Sequence, residues 1–515
     1  MMTKSKPIAL LVAIIALTSL AQALEINSQY WYQKGNELAG NGSFESAVNA
    51  YDKAILMNPY YLEAWRNKAA ALSNLGRNGE SIAAYDKAIE LCNKDLDSNP
   101  KDADAWYEKG NALNDRFAVM QLMGNNSQDI EGYREDAIKA YDKAVQSDPG
   151  FANAADAYQH KGVLLSALGR YEEALEAFNS TIEIDPDVIS AWMGRGQALD
   201  ALGMKNESAI SYERVVEIAD EAARKANSTQ SLSETWLSKG FAMQELGLFR
   251  EAVIALDNST VANPKNIDAW KLKGILLLKQ LRSYNRSIEA FDVVLLADPK
   301  DAQIQSLKGD ALYRIGRLDD ASKAYNKALM INPRDEASWL GKAAVSMRQE
   351  MYDDAVRFFN KTLEFDPKNA AALSGAAVAL LQMNRYNQSV AALDRAISMS
   401  SFSNENLAEL WALKGSALLK SGKTADAAKA ADTALQMNQK SAGAWLVKGD
   451  TLRVLKKDMD ALKAYDTAIQ LYPKTSAQAG LAWYNKGLSL KALGRSSEAK
   501  DAFTRAQDLG YSPDD

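Results

Sequence analysis

Few side chains in this chain could carry out catalysis. His160 is the single histidine and Cys92 the single cysteine among 515 residues. Zinc sites draw on several His and Cys ligands, and a nucleophilic triad needs a histidine base beside its nucleophile. We therefore interpret Cys92 as a packed, small apolar residue and His160 as a surface or groove residue. A single cysteine also excludes an internal disulfide.

The acidic residues and glycines do not form a catalytic pattern either. The pairs Asp185/Asp187 and Asp319/Asp320 are typical of helix starts, where the helix dipole favours carboxylates, and they lack the ligand spacing of a calcium loop. The glycines recur at turn and helix-packing positions and form no phosphate-binding loop. The net charge of −6, with no basic stripe visible, argues against nucleic acid as a partner. The sequence thus predicts no catalytic residue, no metal site and no cofactor.

The element that positions these residues is a repeat. Its opening is well seen at Ala269–Gly274, which reads Ala-Trp-Lys-Leu-Lys-Gly. Where the spacing is undisturbed, from Trp31 to Trp65 or from Trp411 to Trp445, the period is 34 residues. A fixed period in this range predicts a stack of supersecondary units, each packed on its neighbours.

Each unit is predicted to be a helix, a tight turn and a second helix. With the tryptophan at position 4, small or apolar residues recur at three- and four-residue spacing, which is the period of an amphipathic helix. Glycine at position 15 suits a left-handed residue after the first helix, and proline at position 32 ends the second. In the first unit these positions are Gly35, Leu38, Gly42, Ala47, Tyr51, Ala54 and Pro59.

The pattern A-W-x-x-K-G-x-A-L…A-x3-Y-x2-A…P resembles the tetratricopeptide repeat. The resemblance covers nearly the whole chain after its N-terminal region and gives thirteen units. It implies an all-α fold, a right-handed superhelical solenoid of antiparallel helix pairs. Position 4 is occupied in order by Trp31, Trp65, Trp106, Tyr158, Trp192, Trp236, Trp270, Gln305, Trp339, Leu373, Trp411, Trp445 and Trp483.

The N-terminus has the features of an export signal. Lys4 and Lys6 precede an apolar run that ends near Leu20, and small residues follow at Ala21 and Ala23. This pattern predicts a signal peptide over 1–23 or an uncleaved anchor, and only the latter would hold the protein at a membrane. The remaining segments are 28–100 (units 1 and 2), 101–233 (units 3 to 5, with an insertion at 114–132 expected to form an elongated helical hairpin), 234–400 (units 6 to 10) and 401–515 (units 11 to 13).

Glycosylation sequons are numerous. Their density favours an exported glycoprotein that is secreted or at the cell surface. The alternative is that Asn and Ser are simply common in turns, and the sequence leaves the choice open. The sequons begin at Asn41, Asn125, Asn179, Asn206, Asn227, Asn258, Asn285, Asn360 and Asn387.

The resemblance further implies that the first helices line a concave groove. Tyr32, Asn36, Tyr107 and Asn111 would give it a polar part. A second part would be apolar and suited to a protein or peptide ligand, unless winding of the solenoid buries these side chains against each other. The apolar residues are Leu237, Phe241, Ile275, Leu278, Leu340, Met347, Val378, Leu381, Leu419 and Leu446.

One specialisation of the family is absent. The carboxylate clamp of some tetratricopeptide-repeat proteins needs a lysine at position 5, and Tyr32 stands there instead. Asn36 and Asn67 fit the clamp, but Asp104 and Glu108 replace its basic residues. The sequence therefore does not predict the clamp's acidic C-terminal ligands.

Three functions remain. The first is a non-catalytic protein- or peptide-binding scaffold in an extracytoplasmic or cell-surface assembly, with end-to-end self-association through the helix near Ala506. The second is a glycosylated structural spacer of the cell surface. The third is a carbohydrate-active enzyme built on an inward carboxylate such as Asp200 or Asp310.

Overall fold

The computed structural model describes residues 27–124, 128–398 and 403–511. Within these ranges every regular element is an α-helix. The chain divides into two compact units, Met1–Pro264 and Lys265–Asp515. The predicted signal region, 1–23, and Asn125 lie outside the described residues.

Each unit is built from consecutive helix pairs. The first unit holds α1 (27–40), α2 (Phe44–Met57), α3 (Leu62–Asn74), α4 (Asn78–Ser98), α5 (Ala103–Leu122), α6 (Gln128–Ser147), α7 (Ala154–Ala167), α8 (Tyr171–Ile184), α9 (Ile189–Ala201), α10 (Lys205–Lys225), α11 (Thr229–Glu245) and α12 (Phe249–Ala262). The second unit holds α13 (Ile267–Lys279), α14 (Tyr284–Ala297), α15 (Ala302–Arg314), α16 (Leu318–Ile331), α17 (Glu336–Arg348), α18 (Tyr352–Phe365), α19 (Ala370–Gln382), α20 (Tyr386–Ser398), α21 (Asn404–Lys420), α22 (Thr424–Met437), α23 (Ala442–Val454), α24 (Asp458–Leu471), α25 (Ala477–Ala492) and α26 (Ser496–Asp508).

The odd-numbered, first helices form the inner layer of each unit. Within each unit, from α2 to α12 and from α13 to α26, every helix packs on its neighbour in sequence. First helices also approach the next first helix, as α7 does α9 and α15 does α17. Second helices make no comparable approach to one another among the described residues. The predicted all-α solenoid is confirmed, with thirteen helix pairs in the part of the chain that the structure describes.

The turn after each first helix has the predicted left-handed residue. Gly76 has φ of 72° and Gly316 of 81°, and the backbone N–H of Gly316 donates to the Tyr313 carbonyl. Non-glycine residues adopt the same conformation at the equivalent turns of four other pairs. They are Arg282 (51°), Glu350 (60°), Asn384 (57°) and Lys456 (58°).

These four turns are strained, because a Cβ in the left-handed region costs about 1–2 kcal/mol. We expect Lys456→Gly to raise the free energy of unfolding of the second unit by about 0.5–1 kcal/mol. The gain is smaller than the strain relieved, because glycine loses more conformational entropy on folding. Urea unfolding of the full chain measures it. Lys456→Ala removes the same charge but keeps the Cβ, so a gain of equal size in that variant would contradict the explanation.

The insertion in the third pair continues its helices. α5 runs on to Leu122, and Phe117 and Val119 are buried in it. α6 begins at Gln128. The elongated hairpin predicted from the apolar residues of this segment is confirmed.

The repeated tryptophans connect helix pairs to the preceding turns. Most of their rings pack under a lysine or arginine three residues further on, such as Lys342 over Trp339. In five of them the indole N–H donates to a carbonyl 2.8–3.0 Å away, from Trp65 to Pro59, Trp106 to Pro100, Trp192 to Pro186, Trp339 to Pro333 and Trp445 to Gln439. Trp411 differs from these five: its indole N–H is buried with no hydrogen-bond partner among the described residues, and no proline stands in the segment before it.

This difference offers a matched pair of variants. Trp339→Phe should lower the free energy of unfolding by about 0.5–1 kcal/mol more than Trp411→Phe, because only the first loses a hydrogen bond. Both lose a similar area of ring, so the comparison isolates the indole N–H. Thermal unfolding of the two variants measures it, and equal losses would refute the role given to the bond.

Candidate functional site

The N-terminal part of the inner layer is a polar network. Tyr51 donates its hydroxyl to Asn36 Oδ1 at 2.8 Å, and Asn67 Nδ2 lies 2.9 Å from the same oxygen and 3.2 Å from Tyr32 Oη. Tyr32 and Asn36, two predicted groove residues, are therefore brought together. They do not bond to each other directly: Tyr32 Oη and Asn36 Oδ1 both accept from Asn67 Nδ2.

A charged cluster follows along the same layer. Arg66 Nη1 lies 2.5 Å from Glu108 Oε2. Burial raises the pKa of Glu108 and of Asp115, and Arg66 opposes the rise in both. Without a nearby cation, two ionised carboxylates would be destabilised in this low-dielectric site. Arg66 supplies that positive charge.

Tyr107 and Asn111 are buried rather than open to the groove, each 8% exposed. Tyr141 donates its hydroxyl to Asn111 Oδ1 at 2.8 Å, and the Tyr107 ring stacks on His160 with centroids 6.3 Å apart. The expectation of a free surface at these two positions is corrected: Tyr141 of α6, Phe151, and His160 of α7 pack against them. Their binding role stays a prediction.

The two residues with potential for catalysis are held in packing positions. His160 is half-buried, its Nδ1 has no partner among the described residues, and burial lowers its pKa. Cys92 is 1% exposed, and burial raises the pKa of its thiol to about 12. Cys92 is thus a thiol at neutral pH and a poor nucleophile.

The inner layer of the first unit contains an open cavity of about 930 Å³ between α7, α9 and α11. Gln159 and Ser166 of α7 line it, and Gln159 Oε1 and Ser166 Oγ are buried without partners among the described residues. Its wall is otherwise small, hydroxylic or apolar, with carboxylates at Asp187 and Glu234 and no Lys or Arg. Buried polar atoms are normally satisfied, so these two leave unmet hydrogen-bonding capacity beside the cavity.

Our sequence analysis missed this cavity. It considered the first three pairs and the sixth to twelfth, and omitted the fourth and fifth. Gln159 stands at position 5, and Val163 and Gln197 stand at position 9, all inward positions of the repeat. The same numbering, applied to every unit, could have found them.

The apolar groove residues are more covered than predicted. Leu278, Leu381 and Leu446 are buried, and the other seven are partly buried. Ile275 packs against a core that spans α13 to α17, and Phe241 against one formed mainly by the preceding pair, α9 and α10. The expectation of an exposed apolar run is corrected, because adjacent first helices approach closely enough to bury it. Whether these residues bind a ligand stays a prediction.

Two of the apolar residues, Leu278 and Leu340, line a second cavity of about 660 Å³ between α13, α15 and α17. Lys279, Arg282 and Arg314 stand around it. The prediction that the chain has no basic stripe is corrected here. Cations separated by one repeat in the sequence come together because their helices stack in register.

The candidate catalytic carboxylates are bound to neighbouring tyrosines. Tyr325 donates to Asp310 Oδ1 at 2.7 Å, and burial raises the pKa of Asp310. At Asp200 burial acts in the same direction, but hydrogen bonds from Ser208, Lys205 and Tyr212 outweigh it and lower the pKa. Asp200 belongs to the first unit and Asp310 to the second. Each carboxylate fits a structural bond between the two helices of its own pair.

The sequons have a packing explanation. Seven of the asparagines are exposed, whereas Asn179 is partly buried and accepts from Arg195 Nε at 2.9 Å. The hydroxyl residues that complete several sequons are buried at helix contacts, where Ser389, for example, donates to the Ala377 carbonyl. The repeat needs small residues at these contacts, which produces sequons without any glycan. Glycosylation stays a prediction.

Two further observations concern the described residues only. None of their helices combines the length and the apolar character needed to cross a membrane. No group of three or more His, Cys, Asp or Glu side chains among them is placed to hold a metal ion.

Comparison with known proteins gives family matches over most of the chain. Models described as Tetratricopeptide repeat match residues 32–95, 155–188, 189–221, 273–338, 306–370, 346–413, 412–476 and 481–509. An uncharacterized protein of Methanocaldococcus jannaschii is 46% identical over 64 residues, 12% of this chain and 74% of that protein. A TPR repeat-containing protein of the same organism is 23% identical over 297 residues, 56% of this chain and 48% of its own length.

More distant similarities extend to receptors and solved structures. The peroxisomal targeting signal receptor of Komagataella phaffii is 22% identical over 170 residues, 33% of this chain and 26% of the receptor. The chain thus spans about half or less of these two longer relatives. A tetratricopeptide repeat protein from Parabacteroides merdae is 17% identical, with a TM-score of 0.38 over 51% of this chain and 98% of that one. A chain of the APC/C hetero-tetramer Cut9–Hcn1 is 14% identical, with a TM-score of 0.44 over 96% of this chain and 96% of that one.

Proposed function

Because the chain belongs to the tetratricopeptide-repeat family, we propose that it is a non-catalytic scaffold that binds a protein or peptide on the inner layer of its helix pairs. The observation that carries this proposal is the cavity between α7, α9 and α11, with its two unpartnered polar atoms. One relative is by name a targeting signal receptor, which is in keeping with such a role.

The cavity lining suits a peptide backbone. An extended segment presents N–H and C=O groups in alternation, and amide and hydroxyl side chains can both donate and accept. Gln159 and Gln197 stand on neighbouring inner helices, and Ser190 and Thr235 add hydroxyls. Met193, Ile189 and Val163 supply apolar surface beside them. Since the lining has carboxylates but no cation, a neutral or basic segment fits it better than an acidic one.

We place this scaffold outside the cytoplasm. The support is the charged, then apolar N-terminal segment followed by small residues, together with the exposed sequon asparagines. Expression in a glycosylating host should then give a chain that begins after Ala23 and carries glycans on sequon asparagines. Intact-protein mass spectrometry measures both the cleavage and the added mass, and a full-length, unmodified cytoplasmic protein would contradict this placement.

The spacer function has one observation in its favour. Burial of Leu278, Leu381 and Leu446 shows that inward apolar residues serve the cohesion of the stack. End-to-end self-association is less supported, because α26 has no large apolar side chain among the exposed ones. We favour the scaffold, since a spacer gives no reason for unpartnered polar atoms in residues that line a cavity.

The scaffold is tested by crosslinking capture from the native cell envelope. Val163 is 50% exposed on the cavity wall, so Val163→Lys should place a charge in the cavity without disturbing the core. The matched control is Val261→Lys, at a residue 80% exposed on the second helix α12. We expect the parent and the control to capture the same partner, and Val163→Lys to lose most of it.

Circular dichroism would establish that both variants remain folded. A partner captured equally by all three proteins would show that the cavity is not the binding site. If none of the three proteins captures a specific partner, the spacer function is favoured instead.

A further inference from the structure

Four cations line one side of the inner layer in the second unit. α13 ends at Lys279, α15 at Arg314 and α17 at Arg348, the same position in three successive first helices. Arg282 adds a fourth from the turn after α13. All four side chains are exposed. We refer to Lys279, Arg282, Arg314 and Arg348 as the basic row.

Most of the basic row forms no ion pair, although Arg314 and Lys279 oppose the burial that raises the pKa of Asp310. Lys279, Arg282 and Arg314 form no hydrogen bond or ion pair with the rest of the chain that the structure describes. Other lysines of the repeats behave differently: Lys448 lies 2.9 Å from Asp432 Oδ1, on the preceding second helix. The basic row is therefore not part of the ion pairing that links successive pairs.

Helix dipoles do not account for the basic row. A cation near a helix C-terminus gains about 0.3–1 kcal/mol from the dipole, and this holds for every helix. In the first unit, however, no basic residue occupies the last turn of α3, α5, α7, α9 or α11. A general stabilising effect would appear in both units, whereas in the second unit α21, α23 and α25 also carry a basic residue in the last turn, at Lys420, Arg453 and Lys491. Lys279 and Arg314 differ from these in that they line a common cavity.

The basic row borders an apolar cavity. Lys279, Arg282 and Arg314 line the 660 Å³ space whose floor includes Leu278 and Leu340. Tyr284 and Tyr313 form part of the wall, and Arg348 is held there by a 3.1 Å hydrogen bond from Nη1 to the Tyr313 carbonyl. The single carboxylate of the lining, Asp310, accepts from Tyr325. The cavity thus combines free cations at its rim with apolar surface below them.

We propose that the basic row binds an acidic peptide segment of a partner protein, with its carboxylates on Lys279, Arg282 and Arg314 and its apolar side chains on Leu278 and Leu340. This inference rests on the scaffold function proposed above and assigns a ligand class to the second unit. Guanidinium groups and carboxylates form charge-assisted, often bidentate hydrogen bonds, which gives the site its preference.

A peptide fits better than a nucleic acid. A nucleic acid strand needs cations along its whole track, whereas the cations are interrupted at α19, which has no basic residue in its last turn, before they resume at Lys420 of α21. The chain as a whole carries −6, which repels a long polyanion. A short acidic segment meets only the local positive charge and can also use the apolar floor.

Arg282 allows a test that separates binding from stability. Its φ of 51° is strained, so Arg282→Gly should raise the thermal midpoint while it removes a cation of the site. Lys456→Gly is the matched control, because it removes a cation and relieves the same strain (φ 58°) at a turn outside the basic row. The probe is a fluorescein-labelled peptide of alternating Glu-Glu-Leu repeats, with a Gln-Gln-Leu peptide as its neutral counterpart.

Fluorescence anisotropy with the full chain should show binding of the acidic peptide that weakens with salt. We expect about fivefold weaker binding for Arg282→Gly and about tenfold for Lys279→Gln with Arg314→Gln, since exposed ion pairs contribute up to about 1 kcal/mol each. Lys456→Gly should bind as the parent does, although both glycine variants are more stable.

Equal binding of the neutral peptide, or no loss in the Arg282 and Lys279/Arg314 variants, would overturn the acidic-peptide proposal. Displacement of the labelled peptide by oligo(dT) at a lower concentration than by the unlabelled acidic peptide would also overturn it, because the ligand would then be a nucleic acid. Neither outcome affects the scaffold function if Val163→Lys still loses its captured partner. If that capture is also unchanged, both proposals fail.

Discussion

Asp450→Asn should raise the free energy of unfolding of the second unit by up to about 3 kcal/mol at pH 7. Asp450 is mostly buried within the inner helix α23, where it accepts from Tyr465 Oη and Asn485 Nδ2, both at 2.8 Å. Burial raises its pKa from 3.8 to about 6, although Tyr465, Arg453 and Asn485 act in the opposite direction. The folded protein therefore holds an ionised carboxylate at neutral pH at a net cost.

The pH dependence follows from the sign of this shift. Between pH 3.8 and about 6 the folded state binds more protons at Asp450 than the unfolded state does. The stability from this group is thus full below pH 3.8 and is lost as the pH rises through 6. Asp450→Asn should remove this decline, so parent and variant should have similar stability in acid and diverge towards neutral pH.

The repeat itself contains the precedent for this change. Asn36 and Asn111 occupy the equivalent position in the first and third pairs, and each accepts a tyrosine hydroxyl at 2.8 Å. Asparagine therefore fits the site without loss of the hydrogen bond. Urea unfolding across the pH range measures the effect. Asp426→Asn, at an exposed carboxylate, is the control, and a destabilised Asp450→Asn at pH 7 would refute this account of the site.

Gly274→Ala should lower the free energy of unfolding by about 1–3 kcal/mol, which is a typical cost of overpacking a core. An added Cβ would lie 2.6 Å from Cε1 and 2.8 Å from Cδ1 of Phe291, and that ring is fully buried. Most other pairs place a glycine against the aromatic ring of the second helix in the same way. The requirement is thus steric, and it belongs to the packing of the two helices of each pair.

The control for this prediction has the opposite sign. Gly132 lies within α6, is exposed and has no atom within 4 Å of an added Cβ. Gly132→Ala should therefore gain about 0.5–1 kcal/mol from helix propensity. Chemical unfolding of both variants measures the difference. Equal effects in the two would mean that the glycines are interchangeable helix residues and that contact with Phe291 does not matter.

The sequence predicted the parts of the fold that depend on local patterns. The period set by Trp31 and Trp65, the left-handed glycine at Gly42 and the helix stop at Pro59 all depend on neighbours in the chain. The hydrogen bond from Tyr325 to Asp310 could not be predicted in this way. It joins residues on different helices, and it depends on how each helix is rotated about its axis.

The site was predicted less well, for two physical reasons. Burial of Leu381 and Leu446 depends on how closely successive first helices approach, which no single repeat encodes. The basic row, in contrast, was present in the sequence as the same position of three successive units. Lys279 and Arg314 were overlooked because charge was judged along the chain and not across the stack.

The central claim, that a partner occupies the inner layer, is tested most directly by site-specific photocrosslinking. Benzoylphenylalanine would replace Val163 in the cavity wall in one protein and Val261 on α12 in another. With the captured partner present, we expect a covalent adduct from position 163 and none from position 261. Adducts from position 261 alone would show that the partner binds a second helix and would contradict the account.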